Sequence, residues 1–151
     1  MGRPRGELTR CGGRWTEAQF KAFVKNNLRS ASRKWQPIQA CKKNAHISRG
    51  LYKCEGCGLE VAPTYYDDEK RRRMKNIFVD HIVPVVDPAI GWTTWDDCIE
   101  RMFCEPENLQ LLCKSCHSEK SREEIAVAKD RREAAKELQF DDDEEDSFEE
   151  E

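Results

Sequence analysis

The sequence predicts a mixed α+β fold: a small domain stapled by a metal site, preceded by helices and closed by a long C-terminal helix. Three observations carry that prediction. Phe20, Phe23, Val24 and Leu28 recur at helical spacing, and a charged helical stretch follows residue 114. Residues 77–83 (Ile-Phe-Val-Asp-His-Ile-Val) are rich in β-branched and aromatic types, as strands are. Two Cys-x-x-Cys pairs, Cys54/Cys57 and Cys113/Cys116, bracket that strand. Charged residues make up 36% of the chain and the mean hydropathy is −0.87, so the core is small. A small core usually needs a disulfide or metal staple.

Taken in order, residues 1–13 read as a Gly- and Arg-rich disordered N-terminus. Residues 14–50 read as an N-terminal helical segment. Thr16 with Gln19 forms a capping box, and Trp15 with Phe20 fits a hydrophobic staple. Pro37 ends this helix and opens another that runs to about His46. Residues 51–138 read as the zinc-stapled domain. In it, residues 54–58 make a tight turn and 59–62 a short strand. Residues 67–75 are a charged loop, and 77–83 are the strongest strand, stopped by Pro84. A long connection over 85–107 contains a short helix at 94–103. Residues 108–112 form a second strand, and a long helix runs from Lys114 to about Leu138. Residues 139–151 read as an acidic disordered tail, with no internal repeat anywhere.

The net charge of −3 hides an uneven distribution. Residues 141–151 hold nine of the 29 acidic residues and no basic one, leaving 26 basic against 20 acidic before them, a net of +6. A basic body suits a polyanionic partner. The tail is most simply a solubilising segment; the sharper alternative is that it competes with a polyanion for the basic face. No apolar stretch is long enough to span a membrane. The N-terminus lacks an apolar signal core, so a cytoplasmic protein with reduced thiols is expected.

Reduced thiols in two Cys-x-x-Cys pairs point to metal. A two-residue gap lets both sulfurs of a knuckle reach one ion, and four thiolates favour zinc over hard cations. The separation of the pairs exceeds that of a simple zinc ribbon, so the segment between them is a folded insert. The insert carries Asp80 and His81 on its strongest strand and Asn108 at the start of its second; His117 directly follows Cys116. Neighbours on an ideal strand point to opposite faces, so Asp80 and His81 share a site only where the strand ends or bends. A carboxylate, an imidazole and open positions suit a catalytic divalent ion. Cys41, Cys98 and Cys104 read as small buried hydrophobes, Cys11 as part of the terminus, and His46 as a helix-end residue.

These residues also carry a resemblance. Val79-Asp80-His81-Ile82-Val83-Pro84, Glu107-Asn108-Leu109-Gln110-Leu111-Leu112-Cys113 and Cys116-His117-Ser118-Glu119-Lys120 resemble the signature of the HNH (His-Asn-His) endonucleases. Residues 14–35 look like the flanking segment of phage-encoded HNH proteins. The resemblance implies a ββα-metal core, two strands and a helix gripping one catalytic ion. It implies Asp80 and His117 as ligands of that ion and His81 as general base. Asn108 would hold the loop and orient the His81 ring. It further implies a structural zinc on Cys54, Cys57, Cys113 and Cys116, and DNA cleavage leaving a 5′ phosphate and a 3′ hydroxyl. Mg2+ or Mn2+ is the expected catalytic ion, with Ni2+ or Zn2+ as alternatives. Where some family members carry a further histidine one turn past His117, this chain has Lys120 and Ser121, so two protein ligands plus water are expected.

DNA contacts are expected from Arg71, Arg72, Arg73 and Lys75 beside the reactive strand, from Arg29 and Arg33 on the first helix, and from Lys120. A phage source implies a role in phage DNA processing in the host-cell cytoplasm, with a terminase or other packaging protein as partner. The rival reading is a non-catalytic zinc module that binds DNA or a packaging partner. An RNA nuclease is a third, because the motif grips a phosphate and not a base.

Overall fold

A computed structural model of the chain describes residues 6–145, with side chains through 137. Its elements, in order, are β1 (Leu8–Arg10), β2 (Trp15–Thr16), α1 (Glu17–Ser32), α2 (Gln36–Asn44), β3 (His46–Ser48), β4 (Leu51–Lys53), β5 (Glu60–Val61), β6 (Thr64–Asp67), β7 (Arg72–Lys75), β8 (Ile77–His81), α3 (Trp95–Met102), a 3-10 turn at Pro106–Asn108, β9 (Leu109–Cys113) and α4 (Lys114–Glu145). The fold is mixed α+β: four helices around small sheets of two or three antiparallel strands. No described helix is long and apolar enough to cross a membrane.

The start of α1 follows its sequence. Thr16 accepts from the Gln19 amide at 3.2 Å, and the Gln19 side chain accepts from the Thr16 amide at 2.8 Å, so two orphan donors of the first turn are satisfied. The staple differs from expectation. Trp15 packs edge-on against Phe23, centroids 5.2 Å apart, while Phe20 lies under the Arg10 guanidinium. The strand pairing of Leu8–Arg10 with β2 explains the difference. That pairing brings Arg10 onto α1, where it also reaches Glu17 at 2.6 Å. Residues 8–10 are therefore ordered by a hairpin rather than belonging to a disordered terminus, and residues 1–5 lie outside the described part. Pro37 sits in the first turn of α2, as its fixed φ and missing N–H allow.

Two hairpins appear where the sequence reading placed none. Residues 46–53 turn at Gly50 (φ +76°) and pair as β3–β4, so His46 is a strand residue packed edge-on against Tyr52. The charged stretch 67–75 is half strand. Tyr65 pairs with Met74 and Tyr66 with Arg73 across β6–β7, with the charged tip at 68–71. Paired strand residues outweigh the charge of the tip because the tip is solvated.

The centre is the pair β8–β9, in register from Ile77↔Cys113 to His81↔Leu109. Leu109, Leu111, Leu112 and Cys113 of β9 are buried, with Ile77, Cys54, Cys98 and Met102. Phe103, just past α3, meets Trp35 edge-on, and Trp35 Nε1 donates to the Cys104 carbonyl at 2.9 Å. Thus the long connection folds back to join the α1–α2 junction. β9 runs without a break into α4, whose backbone continues to Glu145 instead of stopping near Leu138. Of the expected disordered tail, residues 139–145 are helical and 146–151 lie outside the described residues.

Candidate metal centre and active site

Cys54 and Cys57 lie on the turn after β4. Cys113 ends β9 and Cys116 opens α4, so a strand end and a helix start are brought to one point. The four Sγ atoms lie within 4.8 Å of one another, the one such group among the described residues. Cys57 and Cys113 sulfurs are 3.9 Å apart, close to the ~3.8 Å edge of a tetrahedron built on Zn–S bonds of ~2.3 Å. The donor set and spacing therefore fit zinc. Gly56 shows how tightly the turn wraps the site: a Cβ there would stand 3.2 Å from Cys116 Sγ and 3.1 Å from Leu112 Cδ2. Burial works against ionisation of Cys54, but the amides of Cys57, Cys113 and Gly56 outweigh it and pull the thiol below its ordinary range. Hydrogen bonding with Cys113, followed by burial, pushes the Cys116 thiol up. The turn is also tied to β9 directly: Glu55 donates its amide to the Leu111 carbonyl at 2.9 Å and accepts the Leu111 amide on its carboxylate.

One residue past the knuckle, on the first turn of α4, His117 faces the central strands. Its ring stacks on Phe78, centroids 4.4 Å apart and 15° from parallel. Phe78 and Asp80 share a face of β8 by alternation, and His117 Nε2 lies 3.8 Å from Asp80 Oδ1. Gln110, cross-strand from Asp80, donates to its Oδ2 at 3.2 Å. Lys120, one turn along α4, reaches the same oxygen at 2.9 Å, the His81 carbonyl at 2.8 Å and Glu124 at 2.6 Å. An ammonium has three N–H bonds, and these acceptors use all of them. Burial lowers the Lys120 pKa, but Glu124 and Asp80 outweigh it and hold the ammonium above the ordinary lysine value. Lys120 therefore clasps β8 to α4.

His81 ends β8, where the two faces of the hairpin meet. Its Nε2 lies 3.3 Å from the Met102 carbonyl at the end of α3. A carbonyl only accepts, so Nε2 carries the hydrogen and Nδ1 is left as a base. Asn108 fixes the loop beyond: its Oδ1 accepts from the Val83 amide at 2.7 Å, its Nδ2 donates to the Val83 carbonyl at 3.2 Å, and its own carbonyl accepts from the Ile82 amide. Asn108 thus ties Val83 and Ile82 to the start of β9, and the contact on the His81 ring comes from the Met102 carbonyl, which sequence reasoning missed because a backbone carbonyl leaves no side-chain signature. Gln110 was within reach of a register argument, lying directly opposite Asp80.

Asp80 and His81, despite opposite strand faces, both line a cavity of about 300 Å³ with Arg29, Lys120 and Glu124. Oδ1 of Asp80 and Nε2 of His117 can face one hard divalent ion between them, with water filling its other positions. His81 and His117 both line a second, larger cavity with Arg29, Arg33 and Lys75. Arg71, Arg72 and Arg73 stand away from both, on the exposed tip and strand of the β6–β7 arm. The remaining thiols form no second metal group among the described residues. Cys98 is buried, and burial, with Glu55 nearby, pushes the half-buried Cys41 up to about 11.

A stretch of 49 residues is 45% identical to the "Probable HNH endonuclease" of Lactococcus phage SK1, covering 32% of this chain and 45% of the phage protein. The chain thus matches a little under half the length of that relative. No family model matches, and no solved structure matches.

Proposed function

We propose that the protein is a metal-dependent HNH endonuclease that hydrolyses DNA phosphodiester bonds, with zinc on its four cysteines serving structure. The observation that carries this reading is the meeting of Asp80, His81 and His117 where the β8–β9 hairpin joins α4, a junction anchored by the cysteine cluster. The part-length likeness to a probable phage HNH endonuclease supports it. Mg2+ or Mn2+ held by Asp80 and His117 would neutralise charge developing on the scissile phosphate and the leaving 3′ oxygen. The Met102 carbonyl fixes the His81 tautomer, so Nδ1 takes the proton from the attacking water. Water attack at phosphorus with loss of the 3′ oxygen leaves a 5′ phosphate and a 3′ hydroxyl. Asn108 keeps the strand end and loop from drifting, and Lys120 pins the His81 backbone. The phage source of the relative fits a place in phage DNA processing.

One observation favours the rival reading, a non-catalytic zinc module that binds DNA or a packaging partner. Lys120 gives the Asp80 carboxylate a cationic partner at 2.9 Å from within the chain. The two readings separate when zinc-loaded protein is incubated with supercoiled plasmid, with and without Mn2+ or Mg2+, beside a matched RNA. Nicking or linearisation of DNA that requires the added ion supports the nuclease. Intact DNA under every ion supports the binding module, and preferential loss of RNA reassigns the substrate.

A further inference from the structure

His81 lines two cavities that differ in charge. The smaller holds the carboxylates of Asp80 and Glu124 balanced by Arg29 and Lys120. The larger, about 600 Å³, lies among α1, α2 and the β7–β8 junction, and its lining includes Arg29, Arg33, Lys42 and Lys75 together with His81 and His117 but no carboxylate. None of these four cations makes an ion pair among the described residues, whereas Arg10, Lys70, Lys120 and Lys129 all do. They come from three separate elements, so the grouping is a product of the fold and not of one charged helix face. Grouping like charges in a recess costs free energy that an anion would recover. Burial first, and then the nearby charges of Lys42 and Arg33, push the Lys75 ammonium down. It also lies over Phe78, the ring that stacks on His117.

We propose that this recess seats the phosphodiester backbone of duplex DNA, with Arg29, Arg33, Lys42 and Lys75 holding phosphates next to His81 and His117. The proposal deepens the nuclease reading and rests on it for the identity of the polyanion. It makes Lys42, on a helix to which sequence reading assigned no role, a DNA contact. Because His117 also lines the recess, phosphates held there lie beside the Asp80–His117 pair that would hold the divalent ion. Arg71, Arg72 and Arg73 then extend the track along the β6–β7 arm rather than form its seat.

The test is fluorescence anisotropy of a short mixed-sequence DNA duplex with the full, zinc-loaded chain, titrated across salt without a catalytic ion. Arg33→Gln/Lys42→Gln is compared with Lys43→Gln/Lys53→Gln, which removes equal charge from exposed positions outside the recess. The recess pair should lose about tenfold or more in affinity at low salt and flatten the slope of log affinity against log salt by about two, one for each lost phosphate contact. The outer pair should stay near wild type. Lys75→Gln, checked for zinc content, gives the same result through a separate element. Equal losses from both pairs, or no binding by wild type, overturn the proposal. Recess-dependent binding without cleavage under any ion leaves the seat standing and removes the nuclease reading. Cleavage with both pairs binding alike does the reverse.

Discussion

At His81, one ring nitrogen faces the Met102 carbonyl and the residue's own carbonyl is held by Lys120, so ring and backbone are fixed from two helices. Lys120 is thus a structural cation, and its pH behaviour follows from its surroundings. The folded state binds the Lys120 proton more tightly than the unfolded chain does. The clasp therefore stabilises fully below about pH 10.4 and fades as pH rises through the higher folded value. Lys120→Met should lower the melting temperature at neutral pH, and the gap from wild type should narrow above that pH in parallel thermal scans. A gap that stays constant into the alkaline range would remove the ion pair from the account. Asn108 is the other anchor. Asn108→Ala removes the partners of the exposed Val83 amide and carbonyl and should cost about 0.5–1.5 kcal/mol in urea unfolding, with zinc content unchanged.

Among the elements, the ones legible in the sequence are those whose signals are local. The capping box of α1 needs only Thr16 and Gln19, and the strands β8 and β9 announce themselves by β-branched and apolar runs. Thr16→Ala should cost about 1 kcal/mol, seen as a lower denaturant midpoint at unchanged slope. What the sequence hid depends on partners distant in the chain or on weak turns. β3–β4 rests on Gly50 between short strands, and β6–β7 on tyrosines paired with Met74 and Arg73 and masked by a charged tip. The Phe20 staple failed because Arg10, from a terminal strand that composition marks as disordered, reaches that ring. Within the site, the cysteines were legible by their two-residue gaps, and Asp80, Asn108 and His117 through the resemblance to the HNH signature. The Met102 carbonyl, the engagement of Lys120 and the recess at Lys42 needed the packing of α1, α2 and α3 around the hairpin.

At the scale of the molecule, only a handful of side chains among the described residues are buried, and two of the cluster cysteines, Cys54 and Cys113, are among them. The knuckle, β9 and α4 meet at the cluster, so metal binding and folding of the site are linked. A strong zinc chelator should lower the melting temperature and abolish DNA binding together, and restored zinc should recover both. Chelation that leaves the thermal transition unmoved would mean the four thiols are a passive part of the core. The central claim, that this scaffold presents His81 as the base of a metal-dependent nuclease, is tested most directly by one comparison. Wild type and His81→Ala, both with one zinc per chain and matched circular dichroism, are given supercoiled plasmid and Mn2+. The account predicts nicking or linearisation by wild type and a loss of about 10²–10⁴-fold in the variant. Equal cleavage by the two folded proteins would contradict it.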